Sequence, residues 1–302
     1  MKTAVVVCPG RGTYNKTELG WLGRHFADKA LLARFDAMRA EAGRPTLSEL
    51  DGAASYSIST HTRGDNASGL IYAATLGDFA AIGEDIRVVA VTGNSMGWYS
   101  ALACAGALTP ENGFRVVDTM GTLMQQRLIG AQTVYPFLAD DWRRDPARKA
   151  ELLAIVAEID ARADHTLSLS IDLGGMLVLA GDAAGLSAFE KAVPPLDGRF
   201  PLRLANHAAF HSALQAPVAA EGRSLLPPAL FRQPDLPMVD GRGHVWWPKA
   251  TDLGALWDYT LGHQVTETYD FTRAITVAAR EFAPDLFIVT GPGTTLDRKS
   301  VV

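Results

Sequence analysis

The chain has 302 residues, enough to bury a large core in one large domain or two unequal ones. Its composition, 48% hydrophobic and 20% charged, is that of an ordinary globular protein, and a net charge of −5 with no long basic run argues against a nucleic-acid binder. No apolar run approaches the ~20 residues needed to span a membrane. Cys8 and Cys104 both lie in apolar segments, as buried thiols in a reducing compartment do, so the expected location is the cytoplasm. A monomer is expected.

Residues 3–8 form a β-branched apolar run, too short for a signal-peptide core, and predict a buried first strand. It runs into the Gly-rich loop Pro9-Gly10-Arg11-Gly12, where the backbone can approach another group closely. Residues 18–42 carry Leu19, Leu22, Phe26, Leu31 and Phe35 at helical spacing, and residues 70–81 predict a second buried helix. Residues 88–92 are again a short apolar strand. Gly93-Asn94-Ser95-Met96-Gly97 follows and fits G-x-S-x-G, a strand-to-helix turn that presents a serine at a helix N-terminus. There the free N–H groups and the helix dipole favour a developing oxyanion; the plain alternative is a βα turn with Ser95 as a helix cap. Pro110 opens a helix through residue 128, with Val116, Val117, Met120, Leu123 and Met124 as its apolar stripe.

From residue 131 the pattern changes. A strand at 133–138, a helix at 148–163, strands at 166–171 and 176–180, a helix at 183–193 and a strand at 200–204 make the β-α-β-β-α-β order of a ferredoxin-like unit. The expected organisation is therefore a small subdomain at 131–204 inserted into a large domain built from 1–130 and 205–302. Asn206 to Gln215 reads NHAAFHSALQ, a loop entering a helix, with His207 and His211. Residues 230–247 read as irregular, 252–261 and 271–282 as helices, and 285–290 as a last strand ending in Gly291-Pro292-Gly293. GPGTTL at 291–296 lacks the lysine of a P-loop, and neither a metal nor a nucleotide site is expected.

Taken together these motifs resemble malonyl-CoA:acyl-carrier-protein transacylases and the acyltransferase domains of polyketide synthases, over nearly the whole chain. CPGRGT at 8–13 is similar to F-P-G-Q-G-[SA], and GNSMGWYSALACAGAL to GHSLGEYSAL(x)CAG(x)L. MGTLMQ at 120–125 is similar to RGxxMQ, and AAFHSAL at 208–214 to xAFHSxLM. His263-Gln264 with Phe271 is similar to QLxxPVxW, and GPGTTL to GPGxxL. The resemblance implies an α/β-hydrolase-like large domain with a parallel sheet and a ferredoxin-like insertion. It also implies ping-pong acyl transfer. Ser95 attacks a thioester of coenzyme A or of an acyl carrier protein, with His211 as general base, the backbone N–H groups of Met96 and Arg11 as oxyanion hole, and the backbone carbonyl of Gln264 orienting the histidine. Coenzyme A or phosphopantetheine thioesters are then substrates, and no tightly bound cofactor is expected. Read singly, His211 could be a helix-start histidine that only caps, Gln264 a surface amide, and His207 reads as structural.

The departures bear on the acyl group. The arginine of RGxxMQ, whose planar fork suits a carboxylate, is here Met120, which cannot neutralise one. Asn94 replaces the usual histidine, Trp98 the usual glutamate and Arg11 the usual glutamine, and a Thr-Gln-Pro segment reads Gly64-Asp65-Asn66-Ala67. The expected pocket residues are Met120, Asn94, Trp98 and Phe210, and the expected acyl group is uncharged. A malonyltransferase using Arg11, an acyl-carrier-protein hydrolase with the same Ser-His pair, and a non-catalytic scaffold that binds carrier protein are the alternatives. The expected partner is an acidic acyl carrier protein, docking on Arg143, Arg144, Arg148 and Lys149. These basic residues are interleaved with Asp140, Asp141 and Asp145, so a merely solvated helix start is equally open.

Overall fold

A computed structural model describes residues 1–138, 143, 145–293 and 296. The chain opens on β1 (Lys2–Cys8), whose last five residues are buried. Where the apolar period predicts one helix over 18–42 there are two, α1 (Trp21–His25) and α2 (Lys29–Glu41). Phe26 leaves the first in an extended conformation, and Asp28 starts the second by accepting from the Leu31 amide at 2.9 Å. Two short helices that periodicity does not mark, α3 (Leu47–Asp51) and α4 (Ile58–His61), lead into α5 (Gly64–Ala80). Then come β2 (Ile86–Gly93), α6 (Gly97–Cys104) and α7 (Pro110–Arg127). Thr109 caps α7, with Pro110 in its first turn.

The expected β-α-β-β-α-β order follows as β3 (Ala131–Pro136), α8 (Pro146–Asp160), β4 (Leu167–Leu173), β5 (Met176–Gly181), α9 (Ala183–Ala192) and β6 (Leu202–Arg203). The chain continues through α10 (Ala216–Leu225) to β7 (Met238–Val239) and β8 (Val245–Trp246), two-residue strands within the stretch read as irregular. After α11 (Leu253–Asp258) a π-helical turn, Tyr259–His263, joins it to α12 (Gln264–Thr266). The chain ends in β9 (Tyr269–Asp270), α13 (Phe271–Phe282) and β10 (Leu286–Val289).

One sheet has the order β10-β1-β2-β7-β8, parallel except for the edge strand β8. The near-continuous apolar runs of β1 and β2 follow from this, since α6 and α13 pack on both strands and leave little of either to solvent. The second sheet has the order β6-β3-β5-β4-β9. Its four strands from 131–204 pair antiparallel throughout, but a fifth, β9, lies outside that segment and runs parallel to β4 through Ile171–Tyr269 and Asp172–Asp270. The junction is reinforced where Thr272 Oγ1 donates to Asp172 Oδ1 at 2.7 Å.

A fully buried arginine pins the helical layer. Arg39 of α2 donates to Asp118 Oδ1 at 2.9 Å and Asn66 Oδ1 at 2.7 Å, joining α7 and α5. Among the described residues no helix is long and apolar enough to cross a membrane. The fold places the carboxyl end of β2, third of five strands, at the mouth between the two sheets, where ligands of open α/β sheets bind.

Candidate active site

Ser95 stands in the tight turn between β2 and α6, with φ at +55°, a conformation that residues with a Cβ rarely adopt. The two glycines let the turn close. A Cβ on Gly93 would lie 2.2 Å from the Gly97 carbonyl oxygen, and one on Gly97 would lie 2.1 Å from that of Cys8. The turn is thereby pressed onto the end of β1, which brings the Arg11 loop beside Ser95. Among the described residues neither the Arg11 nor the Met96 backbone N–H has an acceptor in the protein.

His211 comes from the loop before α10 and is buried, also at positive φ, +54°. Its Nε2 lies 2.7 Å from Ser95 Oγ, and its Nδ1 lies 2.6 Å from the Gln264 carbonyl oxygen. A carbonyl only accepts, so Nδ1 carries the proton and Nε2 is left to accept from the serine hydroxyl. The carbonyl is available because α12 ends at Thr266, which leaves Gln264 O among the carbonyls without an intrahelical partner. Burial lowers the His211 pKa from 6.5 to about 4, with the Gln264 carbonyl acting in the opposite direction. The imidazole is therefore neutral at neutral pH.

Gln264 is a buried residue and no surface amide. Its side chain, left without a role in the sequence reading, accepts from the Tyr99 hydroxyl at 3.0 Å and donates to the Ser95 carbonyl at 3.0 Å. One residue thus holds both the histidine ring and the serine backbone. Tyr269, also missed, donates its hydroxyl to the Gly93 carbonyl and places its ring 5.4 Å from that of His211. Tyr99 lies one helical turn beyond Ser95 and Tyr269 two residues before Phe271, so both stood inside matched motifs; polar ends on buried aromatic rings were the available sign.

Two cavities meet at Ser95. The smaller, about 20 Å³, has Arg11, Ser68, Met124, Phe210 and His211 in its wall with the serine. The larger, about 500 Å³, is bounded on one side by Arg11 and Asn94 and on the other by apolar residues of the second sheet, among them Val134, Ile171 and Val178. Of the four expected pocket residues, Asn94 and Phe210 are in these walls. Met120 and Trp98 are in neither. Met120 is fully buried behind the wall, its Sδ 2.6 Å from where a Cβ on Gly222 would stand. Trp98 is fully buried too, donating from Nε1 to Thr260 Oγ1 at 3.0 Å and meeting the Tyr259 ring edge-on. Both are core residues, drawn inward by apolar packing on their own helices.

The Arg11 side chain is tied to the protein. Its Nη2 donates to the carbonyls of Thr62 at 2.8 Å and Asn206 at 2.9 Å, and its guanidinium lies over the Phe210 ring. Desolvation lowers its pKa to about 10, partly countered by Asp65. His207 is structural in its contacts, with Nδ1 3.0 Å from Gln132 Oε1 and a pKa pushed well below 6.5 by burial and by Arg11. Gln132 in turn donates to Ser170 Oγ at 2.7 Å, and Ser170 donates to the Phe210 carbonyl at 2.8 Å, so β3 and β4 brace the residue before His211.

In the expected docking cluster, Lys149 pairs with Asp172 and Arg148 with Glu151, so both are partly neutralised within the chain. Arg144, Asp140 and Asp141 lie outside the described residues, as do Thr294 and Thr295 of the GPGTTL stretch. Among the described residues no group of three or more His, Cys, Asp or Glu could hold a metal ion.

No family profile matches the chain. It is 25% identical over 209 residues to the malonyl-CoA-acyl carrier protein transacylase of Salmonella typhimurium, covering 68% of this chain and 63% of that protein. Over 214 residues it is 27% identical to the polyketide synthase GfsB of Streptomyces halstedii, covering 70% of this chain and 4% of that protein. The matches thus span less than two thirds of either relative. Among solved structures, the acyl-carrier-protein S-malonyltransferase of Burkholderia pseudomallei superposes with a TM-score of 0.77 at 23% identity, covering 99% of this chain and 92% of that one. A malonyl-transacylase solved in complex with its type II polyketide synthase acyl-carrier protein gives 0.78 at 20% identity, covering 99% and 92%. The relatives and structural neighbours of this chain are malonyl-CoA:acyl-carrier-protein transacylases and a polyketide synthase, as its motifs suggest, and its fold is the transacylase fold.

Proposed function

We propose that this chain moves an acyl group from a coenzyme A or carrier-protein thioester to the phosphopantetheine thiol of an acyl carrier protein, through an ester on Ser95. The observation that carries this reading is the hydrogen-bonded line from Ser95 Oγ through His211 to the Gln264 carbonyl. Ser95 Oγ attacks the thioester carbonyl while its proton passes to His211 Nε2, and the tetrahedral oxyanion faces the Arg11 and Met96 amides. Collapse breaks the C–S bond, and the leaving thiolate takes the proton back from His211. The incoming pantetheine thiol then repeats the sequence in reverse, returning its proton to Ser95. The catalytic unit in this reading is 1–130 with 205–302, and 131–204 supplies the apolar wall of the larger cavity, suited to a pantetheine arm. The case for an uncharged acyl group is that Met120 stands where the resemblance expects a carboxylate-binding arginine; buried behind the wall, Met120 supplies neither a charge nor a contact in either cavity.

Intact-mass spectrometry with a panel of acyl-CoA and acyl-carrier-protein thioesters, followed by free carrier protein, tests the proposal. The expected result is an adduct that is absent in Ser95→Ala and passes to the acceptor. Rapid loss of the acyl group to water, with no product on the carrier, would instead establish a hydrolase. A wild-type chain that never forms an adduct would leave only a binding scaffold.

A further inference from the structure

The smaller cavity contains a cation with no counter-ion. Arg11 shares its wall with Ser95 and His211, and among the described residues it forms no ion pair. Asp65, among the described residues the one carboxylate whose charge acts on Arg11, is held by Arg63 in a fork of 3.0 and 2.8 Å. Both bonds that Arg11 makes to protein carbonyls come from Nη2. Its Nε–H is buried without an acceptor, and Nη1 makes no hydrogen bond among the described residues. The seat is built for this group. A Cβ on Gly64 would lie 3.3 Å from Nη1 and 3.5 Å from Cζ, so the absence of a side chain there makes room for the guanidinium, while Phe210 backs it. A desolvated guanidinium with spare donors beside a nucleophile is costly unless an anion completes it.

Resting on the acyl-enzyme reading above, we propose that Arg11 binds the terminal carboxylate of a short carboxyacyl group carried on Ser95, and so sets the preference for charged over neutral acyl units. The anion belongs to the acyl group, because Arg11 shares a cavity wall with Ser95, whereas the phosphates of coenzyme A or a carrier lie at the far end of the pantetheine arm. The group is short because Arg11 and Ser95 share the wall of one small cavity.

The test uses the full chain and compares single-turnover loading of Ser95 by malonyl and acetyl thioesters in wild type, Arg11→Lys and Arg11→Gln. Each acyl group is supplied both on coenzyme A and on phosphate-free N-acetylcysteamine. The readout is the malonyl-to-acetyl ratio, so any effect of the exchange on the shared chemistry cancels. Wild type should favour malonyl. The ratio should fall about 10- to 100-fold in Arg11→Gln, the size of a charged hydrogen bond, and less in Arg11→Lys, equally on both carriers. A ratio unchanged across the variants would overturn the proposal and leave Arg11 a structural strut. A fall seen with coenzyme A but not with N-acetylcysteamine thioesters would overturn it in favour of a phosphate contact. If Arg11→Gln does not fold, wild type decides: acetyl loading as fast as malonyl overturns the proposal. Acetyl adducts without malonyl adducts refute only the role of Arg11, whereas no adduct with any thioester refutes the acyl-enzyme itself.

Discussion

Acylation should be insensitive to pH across the range in which an ordinary histidine titrates. Burial takes the His211 pKa from 6.5 to about 4, worth roughly 3 kcal/mol in favour of the neutral ring. The general base is the neutral form, so the rate should be flat from about pH 8 down to about pH 5 and fall only as pH approaches about 4. Stability should move with it. Between pH 6.5 and about 4 the unfolded chain binds a proton at this position and the folded chain does not, so the contribution is complete above 6.5 and is lost as pH falls toward 4. The assay is quenched-flow loading of Ser95 with malonyl N-acetylcysteamine thioester, which carries no phosphate titrating near 6, alongside urea denaturation at each pH. An acid limb centred near 6.5 in the loading rate would refute the reasoning, because it would mean that His211 is solvated or paired with an anion in the working enzyme.

Ser95→Ala removes the nucleophile and should abolish adduct formation while leaving the thermal midpoint near that of wild type, read by intact mass and calorimetry. Gln264→Leu keeps the backbone carbonyl but strands the Tyr99 hydroxyl and the Ser95 carbonyl, both bonded at 3.0 Å. At about 1–3 kcal/mol per unsatisfied group, it should cost stability in urea and slow loading, and full activity would show that the side chain is idle. Asp118→Ala leaves Arg39 buried without its carboxylate and should cost about 3–5 kcal/mol of stability in urea without changing the malonyl-to-acetyl ratio. Gly97→Ala drives a Cβ to 2.1 Å from the Cys8 carbonyl, backbone against backbone, and should abolish soluble folding or Ser95 loading; an active variant would mean that the turn is looser than it stands.

Much of this fold was legible because its signals are local. The β2–α6 turn announces itself through two glycines at fixed spacing, and the order of the second sheet through alternating apolar runs and turns. The misses are long-range or very short. The helical period of residues 18–42 runs straight through the break, and only the cap at Asp28 marks it. Arg39 occupies a helix position that periodicity assigns to water, yet its partners arrive from two other helices. β7, β8 and β9 are two residues long, and no period exists at that length. β9 has a further cost for the reading from sequence: it ties the segment after the π-helical turn to the second sheet, so that sheet extends beyond the segment 131–204.

Met120 and Gln264 show why the site was harder to read than the fold. Met120 belongs both to the apolar stripe of α7 and to a motif whose arginine bears on the substrate, and the sequence supports either reading. Packing decides, because an unbranched side chain fills the space left by Gly222 and stops short of the cavity. Gln264 presents the opposite problem. Its place in a motif suggests only a carbonyl, and a carbonyl is available from any residue type. What makes glutamine suitable is that one amide, fixed by the end of α12, can accept from Tyr99 and donate to Ser95 while its own backbone holds His211. The positive φ of both Ser95 and His211 is sustained where these contacts converge, since such a conformation persists only when its surroundings over-determine it. The strain and the residue that restrains it are therefore one feature. Substituting the side chain of Gln264 is the sharper probe of that feature, because its backbone bond to His211 survives the change.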